Sequence, residues 1–151
     1  MRKLCLLLIP IILLVPTAAR AQRDDRIDDE TAIRRVVSDY AAAWRNSSVE
    51  AMRKVLHPQA KLFLPATGKT ELVVQTPSQL YANFKSNHQH GDDMVPRRDA
   101  TLRVERVDHN SDVASVTIKV TTRGFDVTEH LSLMKFADGW KIVCRVMSVL
   151  D

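Results

Sequence analysis

Glycine is scarce, four in 151 residues. Loops that cradle phosphates or dinucleotides are built from clustered glycines, so those fingerprints are missing, as is the serine-nucleophile elbow. Cysteine is scarcer still: the chain has two, Cys5 and Cys144. Cys5 lies in an N-terminal segment that reads as a removable leader, which leaves Cys144 alone, excludes an internal disulfide and puts stability entirely on burial. Cys144 sits in WKIVCRVM with apolar neighbours two away on each side. That is the setting of a small buried hydrophobe, and no histidine stands close by in sequence to activate the thiol. A basic stripe is also lacking. Arg97-Arg98, Arg103, Arg106 and Arg123 are interspersed with acids, so the electrostatic footprint of nucleic-acid binding is absent.

What is present begins with Met1-Arg2-Lys3, an apolar run LCLLLIPIILLV, and then Ala19-Arg20-Ala21. A basic start, a short greasy stretch and small residues at a peptidase site make a secretory signal peptide, cut after Ala21. The run is about 12 residues, too short to cross roughly 30 Å of hydrocarbon, and Pro10 interrupts it. Cys5 precedes most of the run, which argues against a lipoprotein anchor. The expected product is a periplasmic or secreted domain of about 130 residues with one core and no membrane association. Without Arg2, Lys3 and Arg20, the 22 basic residues fall to 19 against 18 acids. The high isoelectric point is therefore mostly a property of the leader.

Residues 22–28, QRDDRID, read as a flexible charged lead-in. From Asp29 onward, Ile33, Val36, Val37, Tyr40, Ala41 and Trp44 follow one helical stripe with Arg34, Arg35, Ser38 and Asp39 opposite. Ser47 and Glu50 read as a capping box for a short second helix carrying Met52, Val55 and Leu56, closed at His57-Pro58. A strand over 60–65, a turn at 67–69 and a return strand over 71–75 come next. Thr76, Pro77 and Gln79 then open a third helix with Leu80, Tyr81 and Phe84 on its inner side.

After Pro96 the apolar period drops to two. Strands are predicted from Leu102, over 114–120, over 127–136 and over 140–149, with Asp138-Gly139 as a tight hairpin turn. Helices first and an antiparallel meander second give an α+β fold, with three helices packed on one face of the sheet. The last two strands carry apolar residues on both parities, which predicts that both faces are covered. The outer face is then expected to pair with a second copy of the chain. On the penultimate strand, His130, Ser132, Met134 and Phe136 are read as inward, and Glu129 as outward.

The stretches AIRRVVSDYAAAW, VLHPQAKL, DVASVTIKV and HLSLMKFADGWKIV together resemble the nuclear transport factor 2-like superfamily, and within it the lumazine-binding family. The resemblance implies a cone-shaped roll, a strongly bent antiparallel sheet around the first helix, with a pocket open at one end and sheet-to-sheet dimers common. Isomerase relatives, such as ketosteroid isomerase, imply a carboxylate base and an acid at positions that here are Leu64 and Ser132, while dehydratase relatives imply histidines and an acid, for which His130 is the candidate. Neither Leu64 nor Ser132 can move a proton, so the resemblance implies binding more than catalysis.

The expected pocket is lined by Tyr40, Trp44, Phe63, Tyr81, Phe84, His130, Ser132 and Met134, and suits a small apolar or aromatic ligand without a cofactor. An isomerase, dehydratase or cyclase using His130 as base and Tyr40 as donor is the rival reading, and a dimeric interaction module with a filled pocket is a third. NHQHGDD at 87–93 holds the weak metal candidates His88 and His90. Without a distant ligand pair or the ligand ladder of a calcium loop, it reads as a polar rim loop. His57 reads as structural, at a helix end.

Overall fold

The computed structural model describes residues 17–65, 72–89, 100–121 and 126–150. Helix α1 spans Thr17–Arg45, α2 Val49–Val55 and α3 Pro77–Gln89. The strands are β1 Leu56–Pro65, β2 Leu72–Gln75, β3 Thr101–Asn110, β4 Val113–Thr121, β5 Asp126–Phe136 and β6 Gly139–Leu150. They form one six-stranded sheet in the order β2-β1-β6-β5-β4-β3. The α+β class agrees with the sequence reading. One contact the pattern did not reveal is parallel, β1 against β6, while the other pairs are antiparallel. It comes about because the chain must cross the sheet to bring its last strand beside its first.

Helix α1 begins at Thr17, well before Asp29, so the stretch read as a flexible lead-in is helical. No glycine or proline occurs between Thr17 and Arg45, and Pro16 immediately precedes the helix in sequence. Nothing local stops the helix from extending back that far. Of the inner stripe as read, Ile33, Val37, Tyr40 and Ala41 are buried and Val36 and Trp44 half-buried, and Ala43 is buried as well. Asp29 ties that helix to the β5–β6 hairpin, accepting from Lys135 Nζ at 2.7 Å and Trp140 Nε1 at 3.1 Å. The hairpin itself turns at Asp138-Gly139, where Gly139 has φ of +105°, a conformation that side chains disfavour.

The cap of α2 is Ser48, whose hydroxyl accepts from Ala51 N–H at 3.2 Å, not Ser47 as the sequence suggested. Ser47 instead takes a left-handed φ of 47° in the turn. Glu50 does not reach back to the cap; it pairs with Lys54 one turn on, at 3.0 Å. The reciprocal box at α3 is present: Thr76 N–H donates to Gln79 Oε1 at 2.8 Å, and Gln79 N–H to Thr76 Oγ1 at 3.4 Å. The helix continues through Asn87, His88 and Gln89, so the first three of the seven residues expected as a rim loop are helical. His90 to Asp93 and the turn expected at 67–69 lie outside the described residues.

Register shifts mark three strand pairs: β1 with β6 between Leu56 and Lys61, β3 with β4 between Val104 and Arg106, and β5 with β6 between Ser132 and Leu133. In β3 and β6 the extra residue flips the inward parity, from Val104 to Val107 and from Ile142 to Arg145, whereas Leu56, Ala60 and Leu62 of β1 stay on one parity. The core lies between the helices and the sheet and includes Ile33, Val37, Met52, Leu62, Leu80, Phe84, Val116, Ile118, Leu131, Leu133 and Ile142. Among the described residues, no helix is long and apolar enough to cross a membrane.

Candidate functional site

Strand β5 buries Val127, Glu129, Leu131 and Leu133 and exposes His130, Ser132 and Met134. This reverses the parity expected from the sequence. His130 pairs with Thr117 on the exposed face, its Nδ1 3.2 Å from Thr117 Oγ1. It cannot serve as a base in the interior, and neither Ser132 nor Met134 lines it. Phe63 is also on the outer side: its sheet neighbours Val74 and Val146 are exposed, and facing residues of adjacent strands share a face. Tyr81 is half-buried where α3 meets α2, with the Arg53 guanidinium 5.2 Å from its ring centroid. His57 stacks on Phe136 at 4.7 Å and its Nδ1 accepts from Gln59 N–H. Cys144 is half-buried on the outer side beside Ser132, and partial burial pushes its thiol upward.

Tyr40, Trp44 and Phe84 do come together inside. Trp44 meets Phe84 edge-on at 5.0 Å and Tyr40 at 6.3 Å. A buried phenol needs a partner for its hydroxyl, and Tyr40 finds one that the sequence reading missed. Its O–H donates to Glu129 Oε2 at 2.8 Å, and it accepts from Arg145 Nη1 at 3.1 Å. Arg145 Nη1 stands 3.8 Å from Glu129 Oε1, close enough for an ion pair and too far for a hydrogen bond. Arg145 and Glu129 are only 2 % and 7 % exposed.

The sheet explains how two charges arrive here. Glu129 faces Met147 and Leu131 faces Arg145, so Glu129 and Arg145 are diagonal neighbours on one face, within reach of long side chains. On β6, Trp140 and Ile142 point in, and after the bulge opposite Ser132 and Leu133 the inward parity passes to Arg145. Buried Leu62 of β1 flanks Arg145 on its other side. Leu64, where enzymatic relatives carry a base, is half-buried on that same parity and has nothing to ionise.

The electrostatics follow from burial. Desolvation raises the Glu129 carboxyl above its ordinary value, with Arg145 and the Tyr40 hydrogen bond pulling against it. Burial likewise drives the Tyr40 phenol well up, so it stays protonated and donates. The Arg145 guanidinium lies 5.2 Å from the centroid of the Trp44 ring. Among the described residues, the buried donors Arg145 Nε and Trp44 Nε1 find no partner. Among the described residues, no three His, Cys, Asp or Glu side chains gather as a metal site.

A family model described as "Putative lumazine-binding" matches residues 28–148. Solved structures share the fold at low identity. A nuclear transport factor 2-like protein of unknown function from Shewanella baltica has a TM-score of 0.70 at 21% identity, over 83% of this chain and 96% of its own. A counterpart from Methylobacillus flagellatus gives 0.67 at 23%, over 83% and 94%. The CaMKII hub of S. rosetta gives 0.59 at 18%, over 80% and 95%. No functionally curated protein matches the chain.

Proposed function

Because the chain belongs to the putative lumazine-binding family of nuclear transport factor 2-like proteins, we propose that it is an exported small-molecule carrier. It holds its ligand against the Trp44–Phe84 wall, with Tyr40, Glu129 and Arg145 as polar anchor. The observation that supports this most is the charged pair buried behind an aromatic wall. Apolar surfaces with a few convergent polar groups are the usual composition of ligand sites. Stability gives little reason to keep the pair: replacing a buried ion pair by well-packed apolar residues is often neutral or stabilising by about 1–4 kcal/mol. The lumazine named by the family is a flat bicyclic ring bearing carbonyl acceptors, which suits edge-on aromatic neighbours and N–H donors.

The N-terminal basic start, apolar run and small residues of a signal peptide support a carrier that works in the periplasm or outside the cell. The outer sheet face, where Val113, Met134 and Val146 are exposed, is the surface for a second copy. Native mass spectrometry of the exported chain tests the reading. The expected result is a small molecule that leaves on unfolding; a folded chain of bare polypeptide mass that also takes up no lumazine contradicts it.

One observation favours an enzyme instead: Glu129 is a carboxyl of raised proton affinity in the interior, beside a neutral phenol. It would act as a proton donor in an isomerase- or dehydratase-type step. Recovery of the bound compound in an altered form separates that reading from simple holding.

A further inference from the structure

Arginine 145 carries more donors than its surroundings use. Nη1 serves Tyr40 and faces Glu129, while Nε, on another side of the same planar group, is buried without a partner. Trp44 Nε1, on the ring over which this guanidinium lies, is buried without a partner too. Unpaired buried donors are costly, about 1–3 kcal/mol each and more for charged groups, so both call for an acceptor.

Charge narrows the choice. The guanidinium stays ionised under any physiological condition, yet its nearest carboxylate oxygen is beyond hydrogen-bond distance, and Glu129 Oε2 is already committed to Tyr40. The cation is thus dehydrated and only partly compensated. Arginine's flat fork of N–H groups matches a carboxylate in shape as well as in sign. We propose that the ligand carries a carboxylate, taken by the Nε edge of Arg145 with the Trp44 indole N–H as neighbouring donor, and an aromatic or apolar body lying on Trp44 and Phe84. This rests on the small-molecule-binding reading and specifies its chemistry. Burial shifts Glu129 toward its protonated form, which lessens its repulsion of an incoming anion, and Tyr40 stays neutral beside it.

The chain has two tryptophans, and they report separately. Trp140 Nε1 is held by Asp29 at the far hairpin, so its indole N–H resonance monitors the fold, while that of Trp44 monitors the site. Titrating benzoate into 15N-labelled protein should move the Trp44 indole signal downfield and leave Trp140 in place. Benzamide, of the same shape without the charge, should bind about 10-fold more weakly, since charge-assisted bonds are the stronger kind. Arg145→Met should abolish the benzoate response, and Arg145→Lys, which keeps the charge and loses the fork, should weaken it about 10-fold.

If Arg145→Met loses the dispersed Trp140 signal, Trp44→Phe carries the test by calorimetry, with benzoate affinity falling several-fold while the aromatic wall is kept. Equal responses to benzoate and benzamide would overturn the carboxylate assignment and leave the binding reading standing. No response to benzoate, benzamide or lumazine would remove both, with only water on the two donors.

Discussion

The buried pair makes a thermodynamic cycle with an unusual signature. Glu129→Gln keeps an acceptor for the Tyr40 hydroxyl and leaves Arg145 charged, 2 % exposed and without an anion. A fully stranded buried charge costs about 3–5 kcal/mol; because burial outweighs the pull of Arg145 on the Glu129 carboxyl, the loss here should fall below that range. Arg145→Met strands the carboxyl instead, but Glu129 has an escape that arginine lacks: it takes up a proton, as its raised value already favours. Its loss is then closer to an unsatisfied polar group, about 1–3 kcal/mol. The double substitution removes both charges, keeps the bond between Tyr40 and residue 129, and lets methionine fill the space beside Leu62 and Trp44.

It should fall between neutral and about 1–4 kcal/mol more stable than the parent. Urea unfolding near neutral pH, with an unchanged slope, measures all four corners. Singles that add to the double within about 0.5 kcal/mol would mean that the two groups do not meet. That would refute the geometry. The stabilised double variant should at the same time have lost benzoate binding, the sign that the pair is retained for a ligand and not for the fold.

Other outcomes rest on the same geometry. The raised value of Glu129 means the folded state holds its proton more tightly than the unfolded chain does, so its contribution is fully present below the unfolded value near 4.5 and is lost as pH rises through the folded value. Unfolding free energies measured over about pH 4 to 8 should show that decline, and Glu129→Gln should flatten it. Asp29 works oppositely: the Lys135 hydrogen bond lowers its value, so its contribution is present above about 3.8 and fades as pH falls through the folded value. On the outer face, Val146→Glu should dissociate a homodimer in sedimentation experiments without unfolding it, and an unchanged mass there rules out that face as the interface. Leu133→Ala should cost about 2–5 kcal/mol, because Leu133 is a core residue, and a loss below about 1 kcal/mol would contradict its placement. Ser48→Ala should cost about 1 kcal/mol through the lost cap, whereas Asn46→Ala should cost less, with thermal unfolding as the readout.

Local signals were legible in the sequence. The α1 stripe, the Thr76–Gln79 box and the Asp138-Gly139 turn depend on residues within a few positions of one another, where spacing dictates geometry. The site depended on longer-range facts. A bulge in β6 shifts parity, and a bulge leaves little trace in a strand with apolar residues on both sides. Glu129 looks solvent-facing in the sequence because a lone carboxylate in a core is costly; the arginine that offsets it is 16 positions away and comes beside it only through the β5–β6 register. One cue was present. Tyr40 lies on the inner stripe of α1, and a buried hydroxyl must find a polar partner in the layer it faces. The odd-numbered positions of β5 and β6 supply both an acid and a base for it. The extension of α1 back to Thr17 escapes a reading that equates charge with disorder, because helix breakers, which are absent there, and not charges, end a helix.

Whether the interior beside Trp44 and Arg145 receives a guest molecule is tested most directly by a high-resolution crystal structure of the protein, taken straight from the cell without added ligand. The expected result is non-protein density on the Trp44–Phe84 wall, with an acceptor atom about 2.7–3.2 Å from Arg145 Nε. Side chains of the protein itself, packed against both donors and leaving no room, would contradict it.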